Sequence, residues 1–122
     1  MRKEGKTTNH IYRVDKFVVS DSAREEFLSR AHAIRDVLRR QEGFVGDRYL
    51  EKIAGPGEFN IVTIAEWKSQ EHIEAAKSAV AALLKQTGFD PEEMYQRLGI
   101  RADIAFYKQT DAYYPLRPTR YL

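Results

Sequence analysis

The sequence predicts an α+β fold: a ferredoxin-like βαββαβ subunit with a four-stranded antiparallel sheet and an extra short helix before the last strand. Three observations carry this expectation. Four segments alternate apolar and polar residues with the period of a strand, and three others repeat at helical spacing. Their order is strand, helix, strand, strand, helix, short helix, strand, which is two βαβ halves. At 122 residues, with no repeat and no low-complexity block, the chain has the size of one domain.

The first strand is HIYRVDKFVV, where Tyr12, Val14 and Val18 share one face and Ile11, Phe17 and Val19 the other. SDSAREEF follows, with Ser22 as N-cap and Glu25 three residues later as a capping box. Phe27, Ala31, Ile34 and Leu38 form the stripe of the first helix, and Gly43 stops it. The second strand is expected over residues 44–53, with Val45, Tyr49 and Ile53 on one face, and AGPG ends it. The third runs from Phe59 to Trp67 and is largely apolar on both faces. Ser69 is placed to cap the second helix, whose stripe is Ile73, Ala76, Val80, Leu83 and Leu84, ending before Gly88. Asp90-Pro91-Glu92-Glu93 combines an N-cap, a proline at the first helical position and a glutamate three after the cap, so a short helix runs to Leu98 and stops at Gly99. Ile100, Ala102, Ile104 and Phe106 then alternate through the fourth strand.

Two helices cover one face of a four-stranded sheet, yet the first and third strands are apolar on both. The second face therefore needs a partner, and a second copy packed sheet against sheet supplies one, so a homodimer is expected. The domain is expected over residues 10–109, after a flexible leading segment at 1–9. The tail at 110–122 holds DAYYPLRPTRYL, whose prolines favour extension and whose tyrosines offer contact area; it is read either as an arm across the dimer or as a frayed end.

The charges, 20 Lys+Arg against 18 Asp+Glu, nearly cancel and are interspersed, which argues against nucleic acid as a partner. The chain has no cysteine, which removes disulfides and thiolate chemistry and fits a reducing, cytoplasmic location. No apolar run is long enough for a membrane span, and the charged start is followed by polar Thr7-Thr8-Asn9 rather than a signal-like core.

Trp67, the single tryptophan, stands where the third strand meets the second helix. It either plugs the end of the core or walls a cavity for a flat ligand. His72 lies in the first helical turn, where the macrodipole favours the neutral, proton-accepting imidazole; it is also explained as a turn residue in solvent. His32 sits one position off the first helix's stripe and is placed to turn toward the sheet. His10 is read as inert. No histidine pair has the i, i+4 spacing of a helical metal site, so no metal is assigned. The glycines are explained by helix ends, a strand and a turn, which leaves no nucleotide-binding pattern. Arg13, Asp15, Asn60, Arg101 and Asp103 are polar groups in apolar strands. Ion pairing is the reading for Arg101 and Asp103, while Asp15 is a candidate proton acceptor.

The runs YRVDKFVV, AREEFLSR, LRRQEGFVGDRYLE, FNIVTIAEWKSQEHIEAA and GFDPEEMYQRLGIRADIAFY together resemble the antibiotic-biosynthesis monooxygenase (ABM) domain over roughly Ile11 to Lys108, above all in EGF after the first helix and EWKS before the second. The resemblance implies a dimeric α/β barrel with a pocket between sheet and helices in each subunit. It implies either oxidation of quinols and polyketide aromatics without a cofactor, or haem degradation. In the first case Trp67 matches the family as a pocket wall. His72 or Asp15 is then placed as the catalytic proton acceptor, Asn60 or Tyr49 as a donor to oxygen, and His32 as a further substrate contact. The haem-degrading members are similar at Trp67 but use an asparagine on the first strand and a histidine late in the second helix; here those places hold Val14-Asp15 and AVAALLKQ. A non-catalytic binding or structural homodimer of the same fold is the alternative.

Overall fold

The structure, a computed structural model, describes residues 8–110. The expectations for the leading segment and the tyrosine-rich tail therefore lie largely outside the described residues. The elements are β1 (Ile11–Val18), α1 (Asp21–Leu38), β2 (Phe44–Glu51), β3 (Ile61–Trp67), α2 (Gln70–Thr87), α3 (Pro91–Leu98) and β4 (Arg101–Lys108). The sheet is antiparallel with order β2-β3-β1-β4, the ferredoxin-like arrangement expected. No helix among the described residues is long and apolar enough to cross a membrane.

Register fixes which residues share a face. Ile11, Arg13, Asp15 and Phe17 of β1 stand opposite Trp67, Ala65, Thr63 and Ile61 of β3, and opposite Lys108, Phe106, Ile104 and Ala102 of β4. This is the helix side, because its two ends are buried against helices. At one end Phe17 and Ile61 pack with Ala23 and Phe27 of α1, Met94 of α3 and Ile100. At the other, Trp67 packs with Ile73 and Ala76 of α2, flanked by Ile11, Leu38 and Phe44. The alternate residues, among them Tyr12, Val14, Val18, Val62 and Ile64, form a second face that no described helix covers.

Several local expectations shift. α1 begins at Asp21 with Ser20 at the N-cap position, and Ser22 makes a hydroxyl contact with Ser20 at 3.2 Å instead of a capping box with Glu25. The apolar stripe is better served by the earlier start, which buries Ala23 beside Phe27. β2 stops at Glu51, leaving Ile53 98% exposed. A bulge between Phe44 and Gly46 shifts the parity of β2, so Phe44 rather than Val45 shares the helix side with Asp47 and Tyr49. β3 begins at Ile61 rather than Phe59. The caps at Ser69 and Asp90 stand as expected, as do the left-handed stops at Gly88 and Gly99.

The loop into β2 and the loop out of β3 meet in one corner. Lys68 N–H donates to the Gly43 carbonyl at 2.9 Å, and the Phe44 and Trp67 rings pack edge to face with centroids 5.3 Å apart. Ser69 accepts from the His72 backbone N–H, and its hydroxyl lies 2.7 Å from His72 Nδ1. The His72 ring then lies against Gly43, whose φ of +86° is left-handed and whose missing Cβ leaves the space the ring occupies. Gly43→Ala is therefore expected to cost about 3 kcal/mol, part from the left-handed backbone and part from collision with the ring. Adding His72→Ala should relieve the collision and leave about 1–2 kcal/mol. Urea unfolding of the two single variants and the double variant measures this, and strict additivity would contradict it.

Candidate functional site

Between the two apolar ends the helix side carries two rows of mostly polar residues running across the strands. One row is Tyr49, Thr63, Asp15 and Ile104, and the next is Asp47, Ala65, Arg13 and Phe106. A sheet floor under helices should be apolar unless its polar groups are paired or used. Some are paired. Arg35 of α1 grips Asp47 with two bonds of 2.7 and 2.6 Å, and its guanidinium stacks on the Tyr49 ring at 4.5 Å. The Asp47 side chain is 8% exposed. This bidentate pair ties α1 to β2 and is stronger than a surface ion pair. The hydrogen bonds that Arg35 donates to the Asp47 carboxylate raise the Arg35 pKa.

Asp15 is the acid at the centre of the floor, with a side chain 16% exposed. Arg13 Nε reaches both of its oxygens at 2.9 and 3.2 Å. Tyr49 lies on the far side of Thr63 from Asp15, and its hydroxyl donates to the Ala31 carbonyl of α1 at 3.2 Å. Burial pushes the Tyr49 phenol up to about 12; Arg35 opposes the shift, and Asp47 and Asp15 add to it. Tyr95 of α3 is likewise raised, first by burial and then by Asp15. Thr63 thus stands beside Asp15 in register, with Tyr49 beyond it on β2.

The residues expected from sequence divide by position. Asp15 and Tyr49 lie on this floor. Trp67 is 3% exposed and packed among Phe44, Ile73 and Ala76 at the end of the core. His72 lies beyond the Trp67 row, and that row is four residues from Asp15 along β1, about 13 Å. The structure does not bring His72 and Asp15 together, and His72 is occupied by Ser69 and Gly43. Asn60 sits at the opposite end. Its side-chain oxygen accepts from Val19 N–H at 2.8 Å, and its amide donates to the Val19 carbonyl at 2.6 Å. One N–H of that amide is thereby spent on the backbone, at the opposite end of the sheet from Trp67. His32 is exposed on α1, with its ring 5.8 Å from that of Tyr49. There it lines an open groove of about 170 Å³ with Leu28, Tyr49, Leu50, Glu51 and Ile61.

Thr63 was not singled out from sequence, although its parity with Ile61 and Trp67 already placed it on their face. His10 Nδ1 lies 2.6 Å from the Glu66 carboxylate. Arg101 is paired, with Glu58 at 2.8 Å, while Asp103 stands opposite Lys16 in register on the uncovered face. Among the described residues no group of three His, Asp or Glu side chains is placed to hold a metal. His72 is the one histidine of α2.

Solved structures share this fold. SnoaB, a cofactor-independent oxygenase from Streptomyces nogalater, is 22% identical, with 90% of this chain and 95% of that chain covered and a TM-score of 0.56. A variant of MhuD with two manganese protoporphyrin IX molecules bound per active site is 17% identical over 80% of this chain and 91% of its own, with a TM-score of 0.60. A conserved protein from Methanosarcina mazei Go1 is 16% identical over 83% and 93%, at 0.57. No curated protein matches the chain by sequence. The sequence profile described as antibiotic biosynthesis monooxygenase matches residues 11–96, and with that match, over a sheet and helices of the same plan, the chain belongs to the antibiotic biosynthesis monooxygenase (ABM) family.

Proposed function

We propose that this protein is a homodimeric, cofactor-independent monooxygenase that oxidises a small aromatic or quinol-type molecule on the floor between the sheet and its helices. The observation that carries the reading is the row of Tyr49, Thr63 and Asp15 set between two apolar clusters. A phenol with a free ring position is oxidised to a quinone by dioxygen without an external reductant: one oxygen atom becomes the new carbonyl and the other leaves as water. The protein's part is to take the phenolic proton, hold the ring and keep water away while the electron-rich anion meets oxygen. Asp15 takes the proton. Thr63, beside it, donates to the developing oxyanion, and Tyr95 closes the floor from α3. Trp67 serves by holding the end of the core against which a ring stacks.

A second reading has its own support. Trp67, His72 and Asn60 are all engaged in packing or backbone contacts, which favours a binding or structural protein of the same fold with no turnover. Oxygen consumption separates the two. The parent should take up dioxygen with at least one member of a hydroquinone and naphthol panel, and Asp15→Asn should slow it by about 100-fold or more. No uptake above the buffer rate with any member would sink the enzymatic reading.

The homodimer rests on the uncovered face, where Val14, Val62 and Ile64 run beside exposed Leu50 and Tyr107. Sedimentation at micromolar concentration should give twice the chain mass; a single-chain mass would overturn it.

The Tyr49 phenol gives a pH signature. Its folded pKa is raised above the ordinary value of 10 to about 12. The stability this represents is therefore present below pH 10 and lost as pH rises toward 12. Tyr49→Phe should flatten that part of the stability profile in urea titrations at successive pH values. An unchanged alkaline slope would show that another group is responsible.

A further inference from the structure

We infer that the part of the floor over β4 selects flat aromatic acids, with Arg13 and Lys108 holding the ligand's carboxylate and Phe106 and Ile104 taking its ring. The inference deepens the proposed function and rests on its claim that a small aromatic molecule enters this floor.

Ile104 and Phe106 lie on the helix side, opposite Asp15 and Arg13, yet they are 44% and 46% exposed. The helices that bury Phe17 and Trp67 do not close over this edge strand. What remains is a short apolar shelf beside a polar floor, and a half-covered phenyl ring beside a guanidinium is a good seat for a flat ring. The Arg13 guanidinium carbon lies 5.9 Å from the centre of the Phe106 ring.

Charge then decides which rings. Among the described residues the hydrogen bonds of the Arg13 side chain both come from Nε and both go to Asp15. The edge of the guanidinium formed by its two terminal nitrogens keeps its donors, in the fork that fits a second carboxylate. Asp15 is already balanced by Arg13. Lys108 stands on the same face, two residues beyond Phe106 and opposite Ile11, about 7 Å along the strand. It makes no ion pair among the described residues. The other charges of β4, Arg101 and Asp103, alternate onto the uncovered face. The shelf thus carries one positive charge in excess next to apolar area, which fits an aromatic ring bearing an anion better than a neutral one.

Naphthoate and naphthol share a ring system and differ in charge at neutral pH, so calorimetric titration of both against the full chain tests the inference. The parent should bind naphthoate about tenfold more tightly than naphthol, the scale of one charge-assisted contact. Lys108→Gln, at an exposed position, should reduce that ratio. Arg13→Met combined with Asp15→Asn, which leaves no charge unpaired, should bring it to about one. Equal affinity for the two probes, no binding of either, or a ratio that either variant retains overturns the inference. Oxygen uptake with neutral hydroquinones without a charge preference leaves the oxygenase reading standing and removes this one; a charge preference without uptake does the reverse.

Discussion

The contact on which most of this structure depends is the seating of the His72 ring against Gly43. It needs a backbone that only glycine adopts without strain, and it needs an imidazole held in place by the hydroxyl that caps α2. With it, the entry to β2 and the exit from β3 are locked together, Lys68 bonds to Gly43, and the Phe44 and Trp67 rings meet. The two sequence fragments that carry most of the family likeness, EGF and EWKS, are therefore the two halves of one corner.

That corner closes one end of the space under the helices, and the cluster around Phe17, Phe27 and Met94 closes the other. Polar groups are tolerable between them because each end supplies its own apolar burial and because Arg35 and Arg13 pair with the acids on the floor. Tyr49 shows the balance. The Arg35 guanidinium stacks on its ring and its hydroxyl donates to the Ala31 carbonyl, so it ties α1 to the floor.

The fold was legible because period, caps and stops agree along the chain. Asp90-Pro91 with Gly99, and Ser69 with Gly88, bracket their helices by local chemistry that tertiary packing has no reason to override. α1 starts at Asp21, with Ser20 rather than Ser22 at the N-cap position and the Ala23 N–H donating to the Ser20 carbonyl. The one local signal for the bulge at Val45 is Gly46 inside the strand pattern, and without the bulge the parity of β2 is misread. The site was legible in part. Asp15 and Tyr49 stand out as polar groups with buried parity. Asn60 and His72 stand out in the same way, and only three-dimensional contacts show that backbone groups and a cap occupy them. The pairing of Arg35 with Asp47 joins a helix to a strand across a turn, and no spacing rule announces it.

The alternation of β1 has a consequence for how such a chain can diverge. Its odd-numbered residues build the floor and its even-numbered residues build the uncovered face. Substitutions can therefore remodel ligand chemistry and subunit contact independently, letter by letter, within the same eight residues. Insertions couple the two: one added residue, unless a bulge absorbs it as between Phe44 and Gly46 of β2, would exchange the two sets beyond it. Length in this strand is constrained far more tightly than composition, and relatives with different ligands should differ by replacement here and by insertion only in the loops.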